Sequence, residues 1–309
     1  MDSDQAMTLN QIDPKFINHI LHCDCVVGMQ WLPDCCIPLT VTSPPYDNFR
    51  AYGGHKFAFE SVARELYRVT VPGGVVVWVV QDQVVNGSFS GTKHRQAVFF
   101  QKVGFGIHNE LTIVTLNSRL PQKVRYTPTS HTAFVFGKGR PRAVNLLRDE
   151  PNKQAGMFKP TWSRRTREGN RETGDYGKNV APFRLRSDVW FYLVGNNVTT
   201  TDGTKHPALM PEKMAEDLIV SWSIPGDLVF DPFVGGGTTC KMALMNHRHY
   251  LGMDIHEPYV QIARDRLEVA NGRLQELPEA IKRMIGDRSL RTERVWLNYT
   301  PPGGGRIHE

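Results

Sequence analysis

No stretch of this sequence approaches the ~18 consecutive apolar residues that a membrane-spanning helix requires, so no such helix is expected. The first ten residues, with Asp2, Asp4 and Asn10, lack the basic start and apolar centre of a secretory signal, and a cytoplasmic location is expected. Cysteines are few and odd in number: five, as Cys23-x-Cys25, the adjacent Cys35 and Cys36, and Cys240. They form neither C-x-x-C pairs nor the Cys/His clusters of a zinc site, so they read as reduced thiols. His247 and His249 stand two apart, which suits a solvated helix-to-strand corner, and no metal is expected.

Charge is unevenly spread, with Lys and Arg concentrated in one region. Residues 138–188 hold thirteen Lys/Arg against six Asp/Glu, a net charge of +7, whereas the whole chain of 309 residues carries +6. The remainder is about neutral, and the basic character belongs to one segment whose natural partner is a polyanion. Its excess of Arg over Lys and its interleaved aromatics, Phe158, Trp162, Tyr176 and Phe183, favour nucleic-acid contact. A disordered basic loop is the bland alternative for residues 154–179.

Outside that segment the chain alternates between strand and helix patterns, which argues for an α/β sheet. Short strands are expected at 19–22, 39–42, 75–80, 111–116 and 132–136, with helices at 26–32, around 59–67 and around 98–103. A turn is expected at Val71-Pro72-Gly73-Gly74. The pattern lapses over 138–205, where only 189–193 resembles a strand. It returns with a helix over 211–222, strands at 227–231 and 250–254, and helices at 240–246 and 257–270. Residues 1–18 read as a polar lead-in, 19–137 and 198–271 as two halves of one α/β domain, 138–197 as a basic insertion, and 272–309 as an extension that includes a helix at 276–284.

Two stretches carry chemistry. The first is Ser43-Pro44-Pro45-Tyr46, delivered by the strand ending at Thr42. An exocyclic amine on adenine or cytosine is a poor nucleophile because its lone pair is delocalised into the ring. Two acceptors taking its two hydrogens favour a pyramidal nitrogen with the lone pair free. The Ser43 hydroxyl can be one. The Pro44 carbonyl can be the other, held in an extended backbone by Pro45, and Tyr46 offers a face for stacking. Taken alone, the same four residues read better as a polyproline turn closing a strand.

The second is Asp231-Pro232-Phe233-Val234-Gly235-Gly236-Gly237-Thr238-Thr239, lying between strand and helix, with Asp254 at the end of the next strand. A glycine-rich loop there lets the backbone approach a ligand closely, and an acid one strand on can bind ribose hydroxyls. The spacing fits a nucleoside-containing cofactor. The loop lacks the last glycine of G-x-G-x-x-G, which argues against NAD. Asp24, just past the first strand, is expected at the same edge of the sheet.

Together these residues resemble the S-adenosylmethionine-dependent DNA amino-methyltransferases, which methylate N6 of adenine or N4 of cytosine. Ser43 to Tyr46 looks like their [DNS]-P-P-[YFW] catalytic motif, and Asp231 to Thr239 like their D-P-F-x-G-x-G-T-T cofactor motif. Catalytic motif first, basic insertion next and cofactor motif last resembles the permuted beta group. Weaker landmarks follow in order: Cys23-Asp24 for G-D, 68–74 for R-V-L-K-P-G-G, and Lys205-His206-Pro207-Ala208 for K-H-P-A. The sequence departs from the family pattern at Cys23, Thr70, Val71 and Gly236.

The resemblance implies a Rossmann-like methyltransferase fold with a mixed, mostly parallel sheet and an inserted target-recognition region. It implies catalysis by Ser43, Pro44, Pro45 and Tyr46, and S-adenosylmethionine held by Asp24, His206, Pro207, Asp231, Pro232, Phe233, Gly235, Gly237, Thr238 and Asp254. The substrate is then a base flipped out of double-stranded DNA and methylated directly, with no covalent enzyme intermediate. Arg164, Arg165, Arg167 and Arg171 become the candidates for phosphates or guanine edges. Within the family a leading Ser leans toward cytosine, but Ser-Pro-Pro-Tyr occurs with adenine as well. Relatives of this group are often dimers, so a homodimer is expected; a partner nuclease cannot be inferred. An RNA or protein-glutamine methyltransferase with the same cofactor, or a non-catalytic DNA-binding module, are the alternatives.

Overall fold

The computed structural model describes residues 11–45, 57–116, 124–194 and 209–276. Tyr46, His206, Pro207 and all but the first residue of the helix expected at 276–284 lie outside these ranges. Two compact units are present: Leu146–Ser187, and the remainder of the chain on either side of it.

The larger unit alternates strand and helix. Its first half runs β1 (His19–His22), α1 (Cys25–Gln30), β2 (Ile37–Thr42), α2 (Phe59–Val69), β3 (Thr70–Val80), α3 (Thr92–Val103), β4 (Gly106–Leu116) and β5 (Ser130–Gly137). The second half runs β6 (Val189–Leu193), α4 (Glu212–Trp222), β7 (Leu228–Asp231), α5 (Thr238–Met245), β8 (His249–Asp254) and α6 (Glu257–Glu276). The eight strands form one sheet in the order β1-β8-β7-β2-β3-β5-β4-β6. β5 is antiparallel to both its neighbours, β3 and β4. The other neighbours are parallel. This is the mixed, mostly parallel sheet that the resemblance implies.

Strands covered on both faces read as continuous apolar runs, because neither face meets water. All six residues of β2 and all of Val75 to Val80 are buried accordingly. On one face, Met29 of α1, Leu66 of α2 and Phe100 of α3 join a cluster with Trp78, Phe136 and Phe230. Elsewhere Ile20 and Val234 pack against Cys240 of α5 and Val260, Ala263 and Leu267 of α6. Trp78 can be fully buried because its indole N–H donates to Gln96 Oε1 at 2.9 Å.

Two expectations change. The stretch expected as a turn at Val71 to Gly74 lies inside β3, which it kinks without ending. Pro72 has no N–H to give a ladder, the register to β2 shifts between Ile37 and Leu39, and Gly73 takes φ of 75°. The Gly73 N–H turns instead to the Lys138 carbonyl at 2.7 Å. The second change concerns the basic segment, of which only part is a separate unit. Lys138 donates through Nζ to the carbonyls of Tyr67 and Thr70 at 2.7 and 2.8 Å, tying it to β3. β6 pairs with β4 as the sheet's edge strand.

The smaller unit is not structureless. Phe158–Arg165 and Arg171–Asn179 form an antiparallel ribbon, closed by a turn in which the Thr166 N–H donates to the Asn170 carbonyl at 2.8 Å. Near its ends Glu150–Pro151 pairs with Phe183–Arg184. Glu150 accepts from both the N–H and the hydroxyl of Ser187 at 2.8 Å. The ribbon was not legible as alternation because nearly every residue of it is exposed on both faces.

The aromatic cluster sets the stability of the larger unit. Phe100 is fully buried, stacks on Phe136 with centroids 4.4 Å apart and meets Trp78 edge-on at 5.1 Å. Phe100→Ala is expected to cost about 3–5 kcal/mol, read as a shift of the urea unfolding midpoint with unchanged slope.

Candidate active site

In an open α/β sheet, ligands bind beyond the carboxyl ends of the strands where successive connections diverge. That point lies between β7 and β2 here. From β7 the chain passes through α5 to β8 on one side, and from β2 through α2 to β3 on the other. The residues leaving these two strands are the Asp231 loop and the Ser43 loop, so the topology brings both motifs to one crevice.

A direct bond joins them. The Thr42 hydroxyl donates to Asp231 Oδ1 at 2.6 Å, in the interior and across 189 residues of chain. The same oxygen accepts the Phe233 N–H at 3.1 Å. Thr239, the last residue of the motif, anchors its hydroxyl on the Val41 carbonyl at 3.2 Å. Burial pushes the Asp231 carboxyl up to about 6, against the hydrogen bonds from Thr42, Phe233 and Thr239 that favour its ionised form.

Ser43 and Pro45 are half-buried and Pro44 is buried, immediately beyond this bond. Pro232 is buried beside Asp231. Phe233 meets Phe57 edge-on at 5.4 Å and Trp78 at 6.2 Å, while Phe57 stacks on Trp78 at 6.4 Å. An aromatic wall therefore runs from the glycine-rich motif to the core of β3.

The glycine-rich loop is shaped by backbone and by Asp254. Gly235 and Gly237 take φ of 48° and 80°. A Cβ on Gly237 would lie 2.8 Å from Ala263 Cβ, so helix α6 leaves room for glycine alone. The Gly235 N–H donates to Asp254 Oδ2 and the His256 N–H to Oδ1, both at 2.9 Å. Burial raises the Asp254 carboxyl above its ordinary value, with these two bonds opposing. Asp24 follows β1, whose His22 is level with Asp254 of β8. Its Oδ1 caps α1, accepting the N–H groups of Val26 and Val27 at 2.8 and 3.1 Å. Three carboxylates thus line the ends of three adjacent strands.

Residues 37–265 match the N6/N4 methyltransferase family described as DNA methylase. The chain belongs to this DNA methylase family. It is 44% identical over 238 residues to the orphan methyltransferase M.BamHII of Bacillus amyloliquefaciens, covering 76% of this chain and 90% of that one. Among solved structures it resembles the PvuII cytosine-N4-specific DNA methyltransferase, with a TM-score of 0.58 at 19% identity over 89% of this chain and 93% of that one. It also resembles the Thermus thermophilus protein TTHA0409 complexed with S-adenosyl-L-methionine, with a TM-score of 0.54 at 23% identity over 82% of this chain and 95% of that one. The activity is S-adenosylmethionine-dependent, site-specific methylation of an amino group in DNA.

The methylase holds its glycine-rich loop from behind with a buried ionic cluster that motif reading missed. Arg266 of α6 donates to the Gly236 carbonyl, to Thr238 Oγ1 at 3.2 Å and to Glu212 Oε1 at 2.9 Å. Lys241 of α5 donates to the same Glu212 oxygen at 2.6 Å. All three charged residues are at least nine-tenths buried. Thr238 therefore serves the loop's shape as well as its helix. A signal was present in the sequence: Arg266 sits three residues after Ala263, on the stripe that Val260, Ala263, Leu267 and Ala270 bury. Thr42 left no such signal, lying within a continuous buried strand.

The methylase's four arginine candidates divide. Arg164 pairs with Glu172 at 2.8 Å and lies over the Trp162 ring at 5.5 Å. Arg171 reaches the Ser163 hydroxyl at 3.2 Å from the other strand of the ribbon. Arg165 is opposite Arg171, and Arg167 is in the connecting turn. Among the described residues no cluster of three or more His, Cys, Asp or Glu could hold a metal ion. No helix among them is long and apolar enough to cross a membrane.

Two outcomes are expected. The folded Asp231 carboxyl titrates near 6 and the unfolded one near 3.8. Between these values the unfolded chain sheds its proton first, so stability falls as pH rises through this window. Asp231→Asn should remove that fall, worth about 3 kcal/mol, in thermal melts at pH 4 to 7. Arg266→Met should weaken S-adenosylmethionine binding in calorimetry and cost about 1–3 kcal/mol of stability by leaving the buried Gly236 carbonyl without its donor.

Proposed function

We propose that Ser43 and Pro44 are the acceptors that activate the target amine, and that Asp231, Phe233, Gly235–Gly237, Asp254 and Asp24 form the cofactor pocket. The observation that carries this reading is the Thr42 to Asp231 bond, which sets Ser43 one residue from a carboxylate of the glycine-rich motif.

The donor set fits the cofactor. A carboxylate offers about four lone-pair sites, and Asp254 uses one on each oxygen for Gly235 and His256, leaving acceptors for a ribose diol. The carboxylates of Asp231, Asp254 and Asp24 supply negative potential suited to a cation. S-adenosylmethionine, when bound, supplies an electrophilic methyl group on a sulfonium centre.

The chain's own residues do the rest. The Ser43 hydroxyl accepts one amino hydrogen and the Pro44 carbonyl the other, so the nitrogen lone pair is withdrawn from the ring and aimed away from both. Pro45 holds that carbonyl in place, since a residue before proline is confined to extended backbone. Tyr46 stacks on the base. Burial of Pro44 and Pro232 keeps water from the acceptors, and fixed orientation supplies much of the acceleration. In a duplex the target amine is paired and stacked, so the base must leave the helix, at a cost of a few kcal/mol. Asp231 acts on geometry and field, with its Oδ1 engaged by Thr42 and Phe233.

Double-stranded DNA incubated with the protein and tritiated cofactor should acquire N4-methylcytosine or N6-methyladenine, identified after nucleoside digestion. Ser43→Ala should lower kcat by about 10²-fold or more, the scale of losing one preorganised hydrogen-bonding group, with cofactor affinity retained. A fully active variant would sink the assignment of Ser43.

A further inference from the structure

The ribbon Phe158–Arg165 and Arg171–Asn179 has two chemically different faces, and its register sorts them. Opposed residues of an antiparallel pair share a face, so Arg165 joins Arg171, Ser163 joins Thr173, and Thr161 joins Asp175. Beyond the shift at Asp175, Lys159 and Lys178 are again opposed, on the parity of Thr161, Ser163 and Arg165. One face therefore carries a cation pair at each end with hydroxyls and a single carboxylate between them.

The other face is spent on internal packing. A Cβ on Gly174 would fall 2.7 Å from the Trp162 ring, so the indole lies directly on the ribbon backbone. Arg164 covers that indole and pairs with Glu172, leaving this face neutral. On the cationic face, neither Lys159, Arg165, Arg171 nor Lys178 is in an ion pair among the described residues, and all four are exposed.

From the methylase reading, on which this rests, we infer that the cationic face of this ribbon enters the major groove of duplex DNA. Its two cation pairs hold phosphates on either side, and Thr161, Ser163, Thr173 and Asp175 meet base edges. A major groove about 12 Å wide admits a two-stranded ribbon. At about 3.4 Å per residue, the six steps from Lys159 to Arg165 span about 20 Å, enough to cross that groove. Phosphate contacts give affinity and register, whereas hydroxyls can read either pair and a carboxylate accepts from the cytosine amino group. Arg164 then belongs to the packing of the opposite face, and the ribbon's arginine contacts with DNA belong to Arg165 and Arg171.

The full-length protein is titrated onto a fluorescent random-sequence duplex over a series of salt concentrations, and its methylation sites are mapped on plasmid DNA. Removing Arg165 and Arg171 together as R165Q/R171Q should reduce the magnitude of the log-affinity against log-salt slope by about 2, at about 0.9 per phosphate, and weaken all sequences alike. R165K/R171K should restore the slope, which a folding defect would not allow. R164Q/E172Q on the opposite face should leave the slope unchanged. Asp175→Asn should keep affinity for random DNA while changing the mapped sites. Equal losses from both faces, an unchanged slope in R165Q/R171Q, or an unchanged map in Asp175→Asn from a wild type that methylates DNA would overturn the inference alone. A wild type that transfers no methyl group to DNA would instead overturn the methylase reading.

Discussion

The hydrogen bond from Thr42 to Asp231 is the constraint on which the site depends. It joins the carboxyl ends of β2 and β7, strands whose own pairing is short, with Leu39 opposite Val229 and Thr40 opposite Phe230. Removed from water, a hydroxyl-to-carboxylate bond is short and strong. Removed from its donor, the same carboxylate would be a buried charge with one partner fewer. Each motif is thereby held by the other: Asp231 needs the strand that carries Ser43, and Ser43 leaves the sheet at a height set by Asp231.

A second level of support lies behind the glycine-rich loop. Glycine permits the loop's φ values but does not select them, and an unsupported loop of this kind would sample many conformations. Selection comes from Asp254 on one side, through the Gly235 N–H, and from Arg266 on the other, through the Gly236 carbonyl. Arg266 is in turn held by Glu212, which Lys241 shares. The loop is therefore clamped by groups from β8, α4, α5 and α6, and its rigidity is a property of that assembly.

Charge is divided between the two units according to task. Carboxylates gather at the strand ends, where the proposed pocket would hold a cationic cofactor. The excess of Lys and Arg gathers in the segment that contains the ribbon, where the proposed DNA contact would be made. A chain with a net charge of only +6 thus serves both partners by segregating its charges.

Much of this was legible in residue order. Continuous apolar runs at 39–42 and 75–80 announced strands covered on both faces, and the two motifs pointed to an amino-group substrate and a nucleoside-containing cofactor. Local sequence could determine these because strand burial, proline restriction and glycine freedom are properties of a few consecutive residues. It could not determine that Thr42 bonds Asp231, that Arg266 braces Gly236, or that Pro72 to Gly74 kink a strand in place of ending it. Nor could it separate Arg164 from Arg165, adjacent residues with the same side chain. Those outcomes depend on what stands opposite each residue across a sheet or beneath a helix, and only the tertiary structure decides which distant groups those are.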